Sequence, residues 1–323
     1  MLVKKDQPMH RRFLITVALA LSAAASSVVA RGQAVRAVSP AGRLPGAPNC
    51  PMFPPSNVWN RDIAQLPVAK NSAQLITAIG LKRGLHPDFG SYSGYGIPYM
   101  VVSGHQHKVP VHFDDADESD KGPYPIPTHP SIEGGPDATG DRHVLLVDRD
   151  ACRLYEIYAL ERTGTGWHAG SGAIWNLRSN ALRPDGWTSA DAAGLPILPG
   201  LVRYDEVAAG LITHALRFTA PRTAQAHIYP ARHDAGHDVP GLPPMGLRVR
   251  LKASIDIKGF GPQARVILQA LKIYGIILAD NGSPWYITGA PDPRWNDDDL
   301  HQLKRITGAD LEVVDTSHLR NGR

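Results

Sequence analysis

Hydrophobic and polar residues alternate with a period of two along much of this chain. "RHVLLVD" at 142–148 sets His143, Leu145 and Val147 against Arg142, Val144 and Leu146. "CRLYEIYAL" at 152–160 follows after a three-residue connection, the pattern of a β-hairpin. In "LRVRLKASIDIK" at 247–258, apolar residues take one face and Arg248, Arg250, Lys252, Ser254, Asp256 and Lys258 the other. One dry and one wet face is the signature of an antiparallel sheet. "LITHALRFT" at 211–219 alternates in the same way, with Ile212, His214, Leu216 and Phe218 on one face and Thr213, Ala215 and Arg217 on the other.

Helical spacing is confined to a few stretches. "GPQARVILQALKIYG" starts with Pro262, ends at Gly275, and aligns Ala264, Ile267, Leu268 and Leu271 on one stripe. "NDDDLHQLKRI" at 296–306 has acids in its first turn and bases in its last, and "SAQLITAIGLK" at 72–82 is a third helix. With 28 prolines and 31 glycines, much of the remainder is turn and loop. The pattern predicts a β-rich α+β fold: antiparallel sheets, sandwich or jelly-roll-like, with a few packing helices and long ordered loops.

The ends change the reading of charge. Lys4, Lys5, Arg11 and Arg12 precede an apolar run from Phe13 to Val29, and Val28-Val29-Ala30 offers small residues for cleavage. This predicts a signal peptide over residues 1–30, a general secretory route, and a periplasmic or extracellular location, with an uncleaved anchor as the alternative. Phe13 directly after Arg11-Arg12 breaks the twin-arginine spacing. The whole chain carries 34 basic and 30 acidic residues, +4. The signal holds four of those bases and one acid, Asp6, so the processed chain is near +1. Such a charge gives no footing for a nucleic-acid partner, and no membrane span is expected after cleavage. Residues 31–56 read as an extended lead-in, 57–315 as one β-rich domain, and 316–323 as a loose tail. Two cysteines, Cys50 and Cys152, form a disulfide in an oxidising compartment or stand as two buried thiols.

Common catalytic motifs are absent: there is no P-loop, GxGxxG, HExxH or GxSxG. The chemistry must come from single residues. Asp205 and Glu206 precede His214, which is either a satisfied core imidazole or an acid–base group. His143, with Glu133 before a Gly-Gly pair, repeats the arrangement, and Asp191 adds a fourth carboxylate. Glu156 lies on an apolar strand face, where it either pairs with Arg203 or Arg217 or has a raised pKa. Trp175 and Trp187, beside Arg178, suit the apolar faces and hydroxyl rims of sugars, with Arg217 as a further ligand-holding cation. "HFDDADESD" at 112–120 fails the EF-hand pattern: counted from Asp115, the sixth position is Asp120 and the twelfth Ile126. No metal site is assigned; calcium at Asp115, Asp117 and Asp120 is an alternative to a solvated acidic turn.

From about Cys50 to Asp315 the chain resembles a family of secreted bacterial proteins. The resemblance is carried by "IEGG", "GDRHVLLVDRDACRLYE", "SGAIWNLRSNALRPDGWTSADAAGLPILPGLVRYDEV", "HALRFTAP" and "LADNGSPWYITGAPDPRW". It implies one secreted domain with Cys50 and Cys152 paired, and it implies no activity. The residues themselves point to a secreted carbohydrate-active enzyme, a glycoside hydrolase or polysaccharide lyase, acting on an oligosaccharide or polysaccharide. Its acid–base groups would be drawn from Glu206, Asp205, Asp191, Glu133, His214 and His143. The alternative is a non-catalytic glycan-binding or surface structural protein.

Overall fold

In chain order, helix α1 (Ser72–Gly80) precedes β1 (His86–Asp88), β2 (Tyr99–Val102) and β3 (Val111–Phe113). Five strands follow: β4 (Val144–Asp148), β5 (Arg153–Tyr158), β6 (Glu161–Thr163), β7 (Gly166–Ala169) and β8 (Ser171–Asn176). Then come α2 (Tyr204–Ala208), β9 (Leu216–Ala220), β10 (Arg248–Leu251) and α3 (Pro262–Ile273). The chain closes with β11 (Ile276–Asn281), β12 (Tyr286–Thr288), α4 (Asp297–His301) and β13 (Leu311–Val313). The computed structural model describes residues 42–164 and 166–319, so the predicted signal peptide and parts of the lead-in and tail lie outside the described residues. No helix among the described residues is long and apolar enough to cross a membrane.

The fold is β-rich α+β, built on three sheets and four short helices among the described residues. A six-stranded sheet runs β1-β12-β9-β11-β10-β13, a four-stranded sheet β2-β4-β5-β8, and a three-stranded sheet β3-β7-β6. The sheets are mixed rather than wholly antiparallel: β9 and β11, β1 and β12, β2 and β4, and β3 and β7 run parallel. The Ile276-Ile277-Leu278-Ala279 run is buried throughout, as a strand covered on both faces must be. None of the sheets closes into a barrel.

Local chemistry explains most elements. The β4–β5 hairpin turns where the Asp148 carboxylate accepts from the Asp150 and Ala151 amides at 3.0 and 2.9 Å. Helix α3 begins at Pro262, and its free N-terminal amides at Gln263 and Ala264 donate to the Asp299 carboxylate of α4. The chain leaves α3 at Gly275, whose φ of +66° and contact with the Val249 carbonyl admit no β-carbon. α4 ends at His301 and tightens into a 3₁₀ turn over Gln302–Arg305.

Two predicted strands are shorter than their patterns. The 247–258 alternation pairs only through Leu251; beyond it the Ala253 and Ile255 carbonyls accept from Lys272 of α3 instead of a neighbouring strand. Ile255 and Ile257 keep their apolar contacts from a turn. In the 211–219 run the ladder with β11 starts at Leu216, so His214 sits in the segment before the strand.

The main core takes Leu145, Leu154 and Ala173 from the four-stranded sheet and Leu216, Phe218 and Ile276 from the six-stranded one. A second cluster, with Tyr124, Leu146, Leu160 and Trp167, backs the three-stranded sheet. Cys50 and Cys152 form a disulfide across 102 residues. On the chain-entropy model a loop of that length is worth about 4–5 kcal/mol. The Cys50→Ser/Cys152→Ser variant is therefore expected to lose about that much in denaturant unfolding, and a loss below about 1 kcal/mol would show the crosslink to be energetically idle.

Candidate functional site

Register gives the six-stranded sheet one polar face. Arg217 and Thr219 alternate onto the same side of β9, and β12 brings Tyr286 opposite Thr219. Asp88 of β1 lies opposite Thr288 of β12. A β-bulge decides the position of Asp280. Ile277 pairs with Arg217 and Leu278 with Phe218, but the register then shifts so that Asp280 pairs with Thr219. Without the extra residue, Asp280 would lie opposite Ala220 on the far face; with it, the carboxylate joins Arg217.

The Arg217 guanidinium is buried and forks onto Asp191, with Nε donating to Oδ2 at 2.9 Å and Nη2 to Oδ1 at 2.7 Å. Its Nη1 donates to Thr288 Oγ1, and Nη2 stands 3.8 Å from Asp280 Oδ2. Asp191 is delivered by a tight loop in which Ser189 Oγ accepts from the Asp191 amide at 2.9 Å. The four-stranded sheet contributes Tyr158 from the end of β5 and Ser171 from the start of β8. His143, just before β4, meets Glu133 Oε2 through Nδ1 at 2.6 Å and the Ala190 carbonyl through Nε2 at 2.9 Å.

Together these elements enclose an open polar recess of about 290 Å³, lined by Asp115, Asp141, Tyr158, Asp191, Asp280 and Asn281, with the loop from Thr188 to Ala192. No lysine or arginine is among its lining residues. Burial, reinforced by the charge of Asp191 and opposed by Arg217 and His143, pushes the Asp280 carboxyl up to about 7. Burial disfavours charge on His143 as well, but the Glu133 carboxylate outweighs it and lifts the imidazole to about 9. Burial also acts to raise Glu133, yet His143 holds it below the usual carboxylate range. A titratable carboxyl beside a fixed ion pair in a solvent-open recess can give and take protons near neutral pH.

Glu133, His143, Asp191 and Arg217, far apart in the sequence, thus converge on one site. The others do not. Glu206 accepts from His214 Nε2 at 3.1 Å and pairs with Arg203 at 2.6 Å, and all three side chains are buried. His214 Nδ1 meets the Ala215 carbonyl at 2.7 Å. Asp205 is 3.8 Å from Arg203, and none of this knot lines the recess. The imidazole at 214 is thus held within this buried knot by both nitrogens.

Trp175 is buried and donates its indole N–H to Glu156, while Trp187 is half-buried; the Arg183 guanidinium lies over both rings, at 5.7 and 5.4 Å. Those ring faces are already covered by a cation. Arg178 is exposed after β8, away from the recess lining. Glu156 pairs with neither Arg203 nor Arg217: it accepts from the Ile197 and Leu198 amides, and burial raises it to about 7.

The acidic turn is dispersed. Asp120 accepts from Arg183 Nη1 at 2.6 Å and from the Ile174 amide, Asp115 lines the recess, and Asp117 is exposed. Among the described residues the side chains whose ligand atoms converge within 4.8 Å are Glu133, Asp141 and His143.

Asp280, Asp141 and Tyr158 were not singled out by sequence. Asp280 had a usable signal: it ends a continuous apolar strand, the place where parallel strands of open sheets present ligand-binding groups. Comparison with protein-family models, with curated proteins and with solved structures finds no match to the chain, so its function is argued from this site.

Two outcomes test the electrostatics. Removing Arg217 leaves Asp191 charged in the interior, so Arg217→Ala should cost about 3–5 kcal/mol in chemical denaturation. A cost near zero would mean that Asp191 is not held by the pair. The folded state raises Asp280 above its ordinary 3.8. Folding therefore favours its neutral form, and the penalty is absent below pH 3.8, grows towards about 7, and is constant above. Asp280→Asn should stabilise the protein by about 2–4 kcal/mol at pH 8 and leave it unchanged near pH 3.5; equal effects at both values would contradict the raised carboxyl.

Proposed function

We propose that the recess is the active site of a secreted glycoside hydrolase, with Asp280 as its general acid. The observation that carries this reading is the position of Asp280: a carboxyl titrating at about 7, on the wall of an open polar recess and beside the fixed Asp191–Arg217 pair. Glycoside hydrolysis needs one carboxyl that stays protonated near neutral pH and a second, ionised carboxylate. Asp280 donates its proton to the glycosidic oxygen, which leaves with the electron pair of the broken C1–O bond. Water adds to the resulting sugar cation, and its proton passes to Asp115 or Asp141, the exposed carboxylates of the lining. Asp191 is too deeply buried and too firmly bound to Arg217 to attack; it positions and polarises. Tyr158, 38% exposed, offers an aromatic face to a sugar ring.

The lining favours hydrolysis over elimination and neutral or amino sugars over uronates. A uronate carboxylate would meet the exposed carboxylates of Asp115 and Asp141, with no lysine or arginine in the lining to receive it.

The test is product release on a panel of neutral, amino and acidic oligosaccharides, scoring new reducing ends and unsaturated uronates together. New reducing ends are expected, with kcat falling above about pH 7 as Asp280 loses its proton. Asp280→Asn should lower kcat at least 100-fold with no loss of thermal stability. Unsaturated products would replace hydrolysis by elimination. Saturable binding without product would make this a glycan-binding protein.

A further inference from the structure

Beside the recess, Glu133, Asp141 and His143 form a cluster of which only Asp141 lines the opening, and the acid chemistry of Asp280 uses neither Glu133 nor His143. Arg142, between two of these residues, adopts a left-handed φ of +51°, unfavourable for a side chain with a β-carbon. Its guanidinium fastens that conformation by donating to the carbonyls of Pro136, Ala138 and Leu160 at 2.9, 2.7 and 3.0 Å. The flanking Asp141 and His143 thereby bring their ligand atoms alongside Glu133, all within 4.8 Å of one another.

The imidazole is oriented as a ligand would be. Its Nε2–H donates to the Ala190 carbonyl, and its Nδ1 meets Glu133 Oε2 at 2.6 Å, so the nitrogen that would ligate already points at a carboxylate of the cluster. A ligating histidine ordinarily gives its other ring N–H to a carbonyl or carboxylate, which fixes tautomer and ring angle. The side chains grade from access to enclosure, with Asp141 exposed, Glu133 half-buried and His143 buried. The lining adds the exposed carboxylate of Asp115, whose charge favours a cation at the mouth.

We propose that Glu133, Asp141 and His143 bind one divalent transition-metal ion, zinc or manganese, through one imidazole nitrogen and two carboxylate oxygens. Three protein ligands leave room for water or a substrate oxygen at a further position. An imidazole with two carboxylates selects this class over calcium, which prefers oxygen ligands throughout. Any proton on Nδ1 leaves to solvent as the ion enters. The proposal does not rest on the hydrolase reading, because the ion can be measured without a substrate.

The chelator-stripped full chain is titrated calorimetrically with zinc chloride, manganese chloride and calcium chloride, and retained metal is counted after gel filtration. One equivalent of zinc or manganese is expected to bind more tightly than calcium. Asp141→Asn and Glu133→Gln should each weaken binding at least 10-fold, the first without changing the melting temperature of the metal-free protein. Asp280→Asn should keep its affinity within about threefold, so loss of turnover and loss of ion binding fail separately. No retained equivalent, wild-type affinity in both ligand variants, or tighter calcium binding would overturn the site.

Discussion

The contact between Arg217 and Asp191 is the constraint around which the rest of the site is arranged. Both side chains are nearly excluded from water, and two parallel N–H···O bonds join them. A charge in that setting is tolerable only with its partner, so the loop carrying Asp191 cannot leave the sheet without exposing a large electrostatic cost. The same guanidinium reaches Thr288, ties β9 to β12, and favours the charged forms of Asp280 and Glu133 as one contribution among several.

That pair is one instance of a wider habit. Long loops leave carbonyls without a ladder partner, and buried polar groups must be satisfied somewhere. Here arginines do much of that work. Arg248, lowered to about 9 by burial, donates to the carbonyls of Tyr274, Val58 and Arg61. Arg250 gathers those of Ile63, Ala64 and Leu66, and Arg183 those of Thr188 and Glu118. A planar fork with five donors can close several loops at once, which lysine cannot. The ordered irregular segments are held by these side chains as much as by the sheets.

The sequence was most legible where one local rule governs. The β4–β5 hairpin, the Pro262-to-Gly275 helix and the β-rich class follow from periodicity and capping alone. Strand direction was not legible, because β9 and β11 meet through a pairing that no short window contains. The 247–258 alternation persisted past its strand because Ile255 and Ile257 keep packing from a turn. Of the candidate histidines, carboxylates and arginines, Glu133, His143, Asp191 and Arg217 lie close together. Nothing local separates those from Glu206 and His214, which carry the same pattern and serve an interior knot with Arg203. Asp280 depended on a one-residue bulge, a feature of pairing rather than of composition.

The Cys50–Cys152 bond closes a ring that contains Glu133, Asp141 and Asp115 as well as β1 to β4. Exposed loops such as Ser91–Tyr95 and Asp114–Asp117 lie inside that ring. A protease that cuts one of them opens the ring into two arms still joined through sulfur, and releases no fragment. One nick there would leave every group around the recess covalently attached. Such damage would pass unseen until the disulfide was reduced.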